Sequence, residues 1–166
     1  MLVMLSLLGR MALIALAIGT AVTASATERV TLSLVVAGAI GWSFVPLLQL
    51  LTGWILVSGF ARDRVRLLDR YFATHWPWSV WILASYATLI MLPGARRFAF
   101  WFTVSAVLPI LWTLRLLLRF CREEMGLGLS QSWTRVAAHQ TVTYTIVFAY
   151  IFVAVSLWPR ILGLFL

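Results

Sequence analysis

Apolar residues run through this chain in long blocks separated by short clusters of arginine, and five of the blocks approach the length of a membrane-crossing helix. Such a helix needs about 20 apolar residues at a rise of about 1.5 Å each. The blocks cover residues 4–26, 31–60, 76–92, 98–119 and 141–158, and together they predict one polytopic domain over residues 1–166. The second block is long enough to tilt, with Gly41, Pro46 and Gly53 placed to kink or break it. In the first block Arg10, an apolar stretch and Ala24-Ser25-Ala26 also fit a signal peptide with a small-residue cleavage site. Met1 to Leu8 is itself apolar, a poor charged leader, so the block is expected to be retained as a helix.

The linkers between blocks carry a pattern of their own. ARDRVRLLDRYFATH sets Val65, Leu68 and Phe72 at i, i+3 and i+7 among arginines, which predicts an amphipathic helix lying in the headgroup region. After Gly126 and Gly128, SQSWTRVAAHQ can start a helix at Ser130 or Ser132 that runs into the fifth block. Small residues recur every four positions as Ala15, Gly19 and Thr23 and as Ser33, Ala37 and Gly41. Stripes of this kind let backbones approach closely in lipid, so the first two blocks are expected to pack as a hairpin, although contact with another subunit fits the same pattern.

Composition turns these segments into a fold class. A chain of 166 residues that is 63% hydrophobic, 11% charged and has a mean hydropathy of +0.99 carries more apolar surface than a water-soluble core of this size can hide. The expected fold is an all-α integral membrane protein of about five transmembrane helices, with short amphipathic interfacial helices in the cytoplasmic loops. All thirteen basic residues are arginines, against five acids, for a net charge of +8. They fall mainly between apolar blocks, where they set orientation and meet anionic lipid, so nucleic acid is not an expected partner. With five crossings, Arg10, Arg62, Arg64, Arg66, Arg70, Arg115, Arg119, Arg122 and Arg135 share one side, and Arg29, Arg96, Arg97 and Arg160 the other. Nine against four puts the N-terminus in the cytoplasm and the C-terminus outside. Abundant Arg, Ala, Leu and Trp without lysine suggests a GC-rich bacterial gene, hence the bacterial cytoplasmic membrane.

The stretch HWPWSVW, residues 75–81, raises the question of a cofactor. Pro77 suits the first turn of a helix, where its missing N–H costs nothing, and Trp78 and Trp81 fall on one face. Trp76, Trp78 and Trp81 read as part of an interfacial aromatic belt that contacts lipid or a partner. His75 and His139 each precede an apolar block and are expected at the same leaflet. Two imidazoles are what a b-type haem needs, and one would serve a chlorophyll-type pigment. The competing reading leaves both rings at the interface, satisfied by water, with no cofactor.

Arg115, Arg119 and Arg122 form one basic stripe at i, i+4 and i+7, followed by Glu123 and Glu124. The stripe sits at the margin of its block, which suits lipid phosphate or a partner rather than voltage sensing. In the apolar tail ILGLFL, Leu162, Leu164 and Phe165 are expected either to return to lipid or to fill a groove on a partner. No Asp, Glu or Lys lies within any block, and no GxSxG, HExxH or phosphate-loop pattern occurs. Cys121, the single cysteine, excludes an intramolecular disulfide and a cysteine-based metal site.

In layout alone, short spans joined by amphipathic linkers, the chain resembles the Yip1-like small polytopic membrane proteins. The function expected from the sequence is a non-catalytic integral membrane subunit packing against larger proteins. A haem- or pigment-binding protein using His75 and His139, and a small-solute carrier or channel, are the alternatives.

Overall fold

The computed structural model describes residues 2–27, 31–59, 63–91 and 99–153. Among them the elements are all α-helices: α1 (Leu2–Thr27), α2 (Leu32–Gly41), α3 (Phe44–Leu56), α4 (Arg64–Ala73), α5 (Trp76–Met91), α6 (Ala99–Ser105), α7 (Val107–Glu123) and α8 (Leu129–Phe152). Five unbroken spans are not what they form. By length and apolar character α1 can cross a membrane alone, and α2 with α3 qualifies as a pair bent by 41°.

Each interruption has a local cause. α2 starts on Thr31, whose hydroxyl caps Leu34 N at 3.3 Å. It stops at Gly41, and Trp42 and Ser43 turn the chain before α3 resumes. The expected break therefore falls directly after Gly41. Pro46 lies in the first turn of α3, where backbone N–H groups have no partner to lose, and Gly53 does not interrupt the helix. The fourth block divides at Ala106, three residues before Pro109, whose ring is incompatible with an unbroken helix running through it. Pro77 stands second in α5, within the first turn as the sequence implies. α8 absorbs the linker helix and the start of the fifth block into one run of 24 residues.

The first two blocks do pack as a hairpin. Gly19 of α1 lies so close to α2 that a Cβ there would sit 2.4 Å from Ala39 N and 2.8 Å from the Gly38 carbonyl carbon. The α2 surface at this point is Gly38–Ala39, while a Cβ on Gly41 would meet nothing within 4 Å. Of the two expected stripes, Gly19 marks the contact and Gly41 does not.

α4 holds the bundle together: its apolar face packs against the other helices. Leu67, Leu68, Tyr71 and Phe72 are buried against Leu7 and Ile14 of α1, Leu56 at the end of α3, Leu117, Phe120 and Cys121 of α7, and Val136 of α8. Burying each large apolar side chain contributes roughly 1.5–3 kcal/mol. Val65, expected on the apolar face, is 37% exposed at its edge. The polar face of α4 is tied to its neighbours too. Asp69 Oδ1 accepts from Ser6 Oγ at 2.7 Å and from Arg10 Nε at 2.9 Å. Arg70 lies 3.7 Å from Glu124, and the Arg64 guanidinium stands over the Trp54 ring at 5.4 Å.

Candidate functional site

The most polar part of the interior is built around Tyr71. A helical period on α4 turns this residue toward α3 and α8, and its ring passes α3 at Gly53. A Cβ on Gly53 would lie 2.6 Å from Tyr71 Cε1, so glycine is required there for close approach and not for a turn. The Tyr71 hydroxyl then reaches His139 Nε2 on α8 at 2.8 Å. One turn further along α8, Thr143 Oγ1 lies 3.0 Å from His139 Nδ1.

The direction of this chain of hydrogen bonds follows from counting protons. Thr143 donates to Thr52 Oγ1 at 3.3 Å, and Thr52 donates to the Leu48 carbonyl at 3.1 Å. A hydroxyl has one hydrogen, so Thr143 must accept from His139 Nδ1–H. His139 Nε2 then carries a lone pair and accepts from the Tyr71 O–H. The result is a one-way relay from Tyr71 through His139, Thr143 and Thr52 to a backbone oxygen.

His75 adds a second imidazole. Its ring meets the Tyr71 ring edge-on, with centroids 4.9 Å apart. Its Nδ1 lies 3.2 Å from the Tyr71 carbonyl and 3.2 Å from Thr74 Oγ1, whose own hydrogen is given to that carbonyl at 2.7 Å. A carbonyl only accepts, so Nδ1 carries the proton. Burial lowers the His75 pKa to about 4, with the neighbouring His139 adding to the effect and the Tyr71 backbone acceptor opposing it. Burial likewise lowers His139 and raises the Tyr71 phenol. Both imidazoles are neutral at pH 7. The Cys121 thiol is buried in the core among Leu117, Phe120 and Val136.

The two histidines expected near each other thus share one cluster, but each is only 7% exposed, and protein groups engage both His139 nitrogens and His75 Nδ1. This arrangement does not fit a haem. The Tyr71 ring, fully buried, stands against both imidazoles, with the His139 centroid 5.3 Å away, and both His139 nitrogens are engaged. A macrocycle held by the pair would have to displace that ring.

The other expected contact residues are spread over the surface. Trp76 faces outward beside Trp112, their rings 5.6 Å apart. Trp78 stacks on Trp81 at 5.3 Å with planes 13° apart, and Trp81 Nε1 donates to Ser105 Oγ at 3.0 Å, pinning α5 to α6. Arg115, Arg119 and Arg122 occupy one exposed side of α7. Leu162, Leu164 and Phe165 lie outside the described residues. Two hollows adjoin these groups. One, about 240 Å³, opens beside His139 between Thr52, Leu56, Arg135 and Val142; the other, about 790 Å³, runs along the α7 arginines.

Sequence reasoning missed Tyr71, Thr52 and Thr143. A signal was present for two of them: Tyr71 precedes His75 by four residues and Thr143 follows His139 by four, the spacing of one helix face. Comparison with known proteins gave no matching family model, no matching curated relative and no matching solved structure.

Proposed function

We propose that this chain is a non-catalytic subunit of a bacterial membrane complex, crossing the bilayer with about five helical segments and packing against larger proteins. The observation that carries the reading is the apolar exterior of the helices. Leu108 is 70% exposed, and Phe148 and Phe152 are each 65% exposed. Large apolar side chains left this exposed on α7 and α8 fit contact with lipid or protein. The most apolar window of α1 is only 22% buried, whereas the core helix of a soluble protein is mostly buried.

The interior supports the same reading from the other side. Tyr71, His139, Thr143 and Thr52 satisfy one another's polar atoms across α4, α8 and α3, which is what a low-dielectric surround demands. A relay in which both His139 nitrogens are already hydrogen-bonded within the protein favours a rigid lock over turnover. α1, α2 with α3, α5, α6 with α7, and the end of α8 are the crossings, oriented by the nine-to-four arginine distribution with the N-terminus in the cytoplasm. In that orientation α4 and the Tyr71 cluster lie at the cytoplasmic boundary.

The test is purification through a C-terminal tag after mild detergent extraction, followed by a native gel. The chain should migrate within a larger assembly together with other membrane proteins. Migration as a lone 18.7 kDa chain, or as a homo-oligomer, would remove the subunit reading.

A further inference from the structure

The groove along α7 has a composition that the bundle does not need for folding. Leu111, Leu114 and Leu118 of α7 form its floor with Leu127 and Leu129, and Arg115, Arg119, Arg122 and Glu123 stand along its rim. Arg119 is spoken for, because its Nε lies 2.7 and 2.8 Å from the two Glu123 carboxylate oxygens. Arg115 and Arg122 are not balanced by a second acid on the rim, which leaves a net charge of two over a volume of about 790 Å³. Trp133, 47% exposed, closes the α8 side.

We infer that this groove binds a phospholipid with an anionic headgroup, Arg115 and Arg122 holding the phosphate and the leucines receiving an acyl chain. Charge complementarity selects the headgroup: a guanidinium fork matches phosphate oxygens, and a zwitterionic lipid would bring an unpaired cation to an already basic rim. Continuity of the floor selects a lipid over an acidic peptide. Going back along α7 the groove lining leaves the arginines at Arg115 and ends on Leu111, and the same helix face continues beyond it as Leu108, exposed and uncharged. A phosphate at one end and an uninterrupted apolar track at the other is the outline of one lipid molecule. The inference rests on the membrane reading given above, and it adds a headgroup class and the residues that select it.

Native mass spectrometry of the detergent-solubilised full chain, with dioleoyl phosphatidylglycerol or dioleoyl phosphatidylcholine added, reads the preference directly. The anionic lipid should be retained at least about tenfold more strongly, as expected for charge-assisted hydrogen bonds. The R115Q/R122Q variant should lose that preference while keeping its helical circular dichroism and its weak retention of phosphatidylcholine. Equal retention of both lipids, or a preference the double variant leaves intact, overturns the inference. Alkaline carbonate extraction of the membranes separates the two readings: protein kept in the pellet but indifferent to headgroup overturns the groove alone, and protein released by carbonate overturns both.

Discussion

The Tyr71 hydroxyl and His139 Nε2 meet at 2.8 Å across 68 residues of sequence, and their bond joins the central helix α4 to the longest helix after α1, α8. Replacing Tyr71 with Phe strands a buried imidazole nitrogen and should cost roughly 1–3 kcal/mol. Replacing His139 with Leu strands the phenol instead. The Y71F/H139L double variant should be less destabilised than the two single losses added together, because neither orphan then remains. Detergent-phase thermal melts of all four proteins measure the coupling, and strict additivity would show that the bond carries no shared energy.

Gly53 and Gly19 test close approach in two settings. Gly53→Ala pushes a methyl against the Tyr71 ring and should lower stability by about 1–3 kcal/mol, the cost of overpacking. Gly19→Ala meets the backbone of Gly38 and Ala39, which cannot rotate away as a ring can, so the loss should be larger and should loosen the α1–α2 hairpin. The order of the two melting temperatures is the check.

Acid should weaken the fold through the histidines. His75 stays neutral in the folded protein down to about pH 4 but protonates near 6.5 once unfolded, so between those values the unfolded chain binds more protons. Stability is therefore full above pH 6.5 and falls as pH drops toward 4. His139 is shifted in the same direction and contributes with the same sign. Both rings face the neutral Tyr71 phenol, and Thr74 and Thr143 bear no charge. Melts at pH 7 and pH 5 should differ clearly for the native chain and less for His75→Asn; equal profiles would place the titration elsewhere.

Much of the fold could be read from the sequence where the signal was local. The long, largely apolar run of α1, the start of α5 at Trp76 with Pro77 in its first turn, and the break after Gly41 each depend on residues within a few positions of one another. The face of α4 was harder. Val65, Leu68 and Phe72 make one acceptable helical stripe, but four surrounding helices bury Leu67 and Tyr71 in preference to Val65, and nothing inside the segment declares that choice. The candidate site failed for the same reason: the burial of His75 and His139 depends on Gly53 of α3 making room for a ring carried by α4. Residues far apart in sequence set that space.

Orientation follows from the arginine count and can be tested without a structure. A reporter fused after Leu166 should be active only on the extracytoplasmic side. Cytoplasmic activity would mean an even number of crossings.

The most direct measurement asks what covers the apolar exterior. Cys121 is buried, so it contributes little background to thiol labelling. Single cysteines introduced as Leu108→Cys, Phe148→Cys and Ser130→Cys would be challenged with a water-soluble maleimide in native membrane fragments open on both sides. Leu108→Cys and Phe148→Cys should stay unlabelled until detergent is added, while Ser130→Cys, in the first turn of α8, should react at once. Labelling of the first two at the rate of the third would mean that these faces meet water, and the account of an embedded subunit would be wrong.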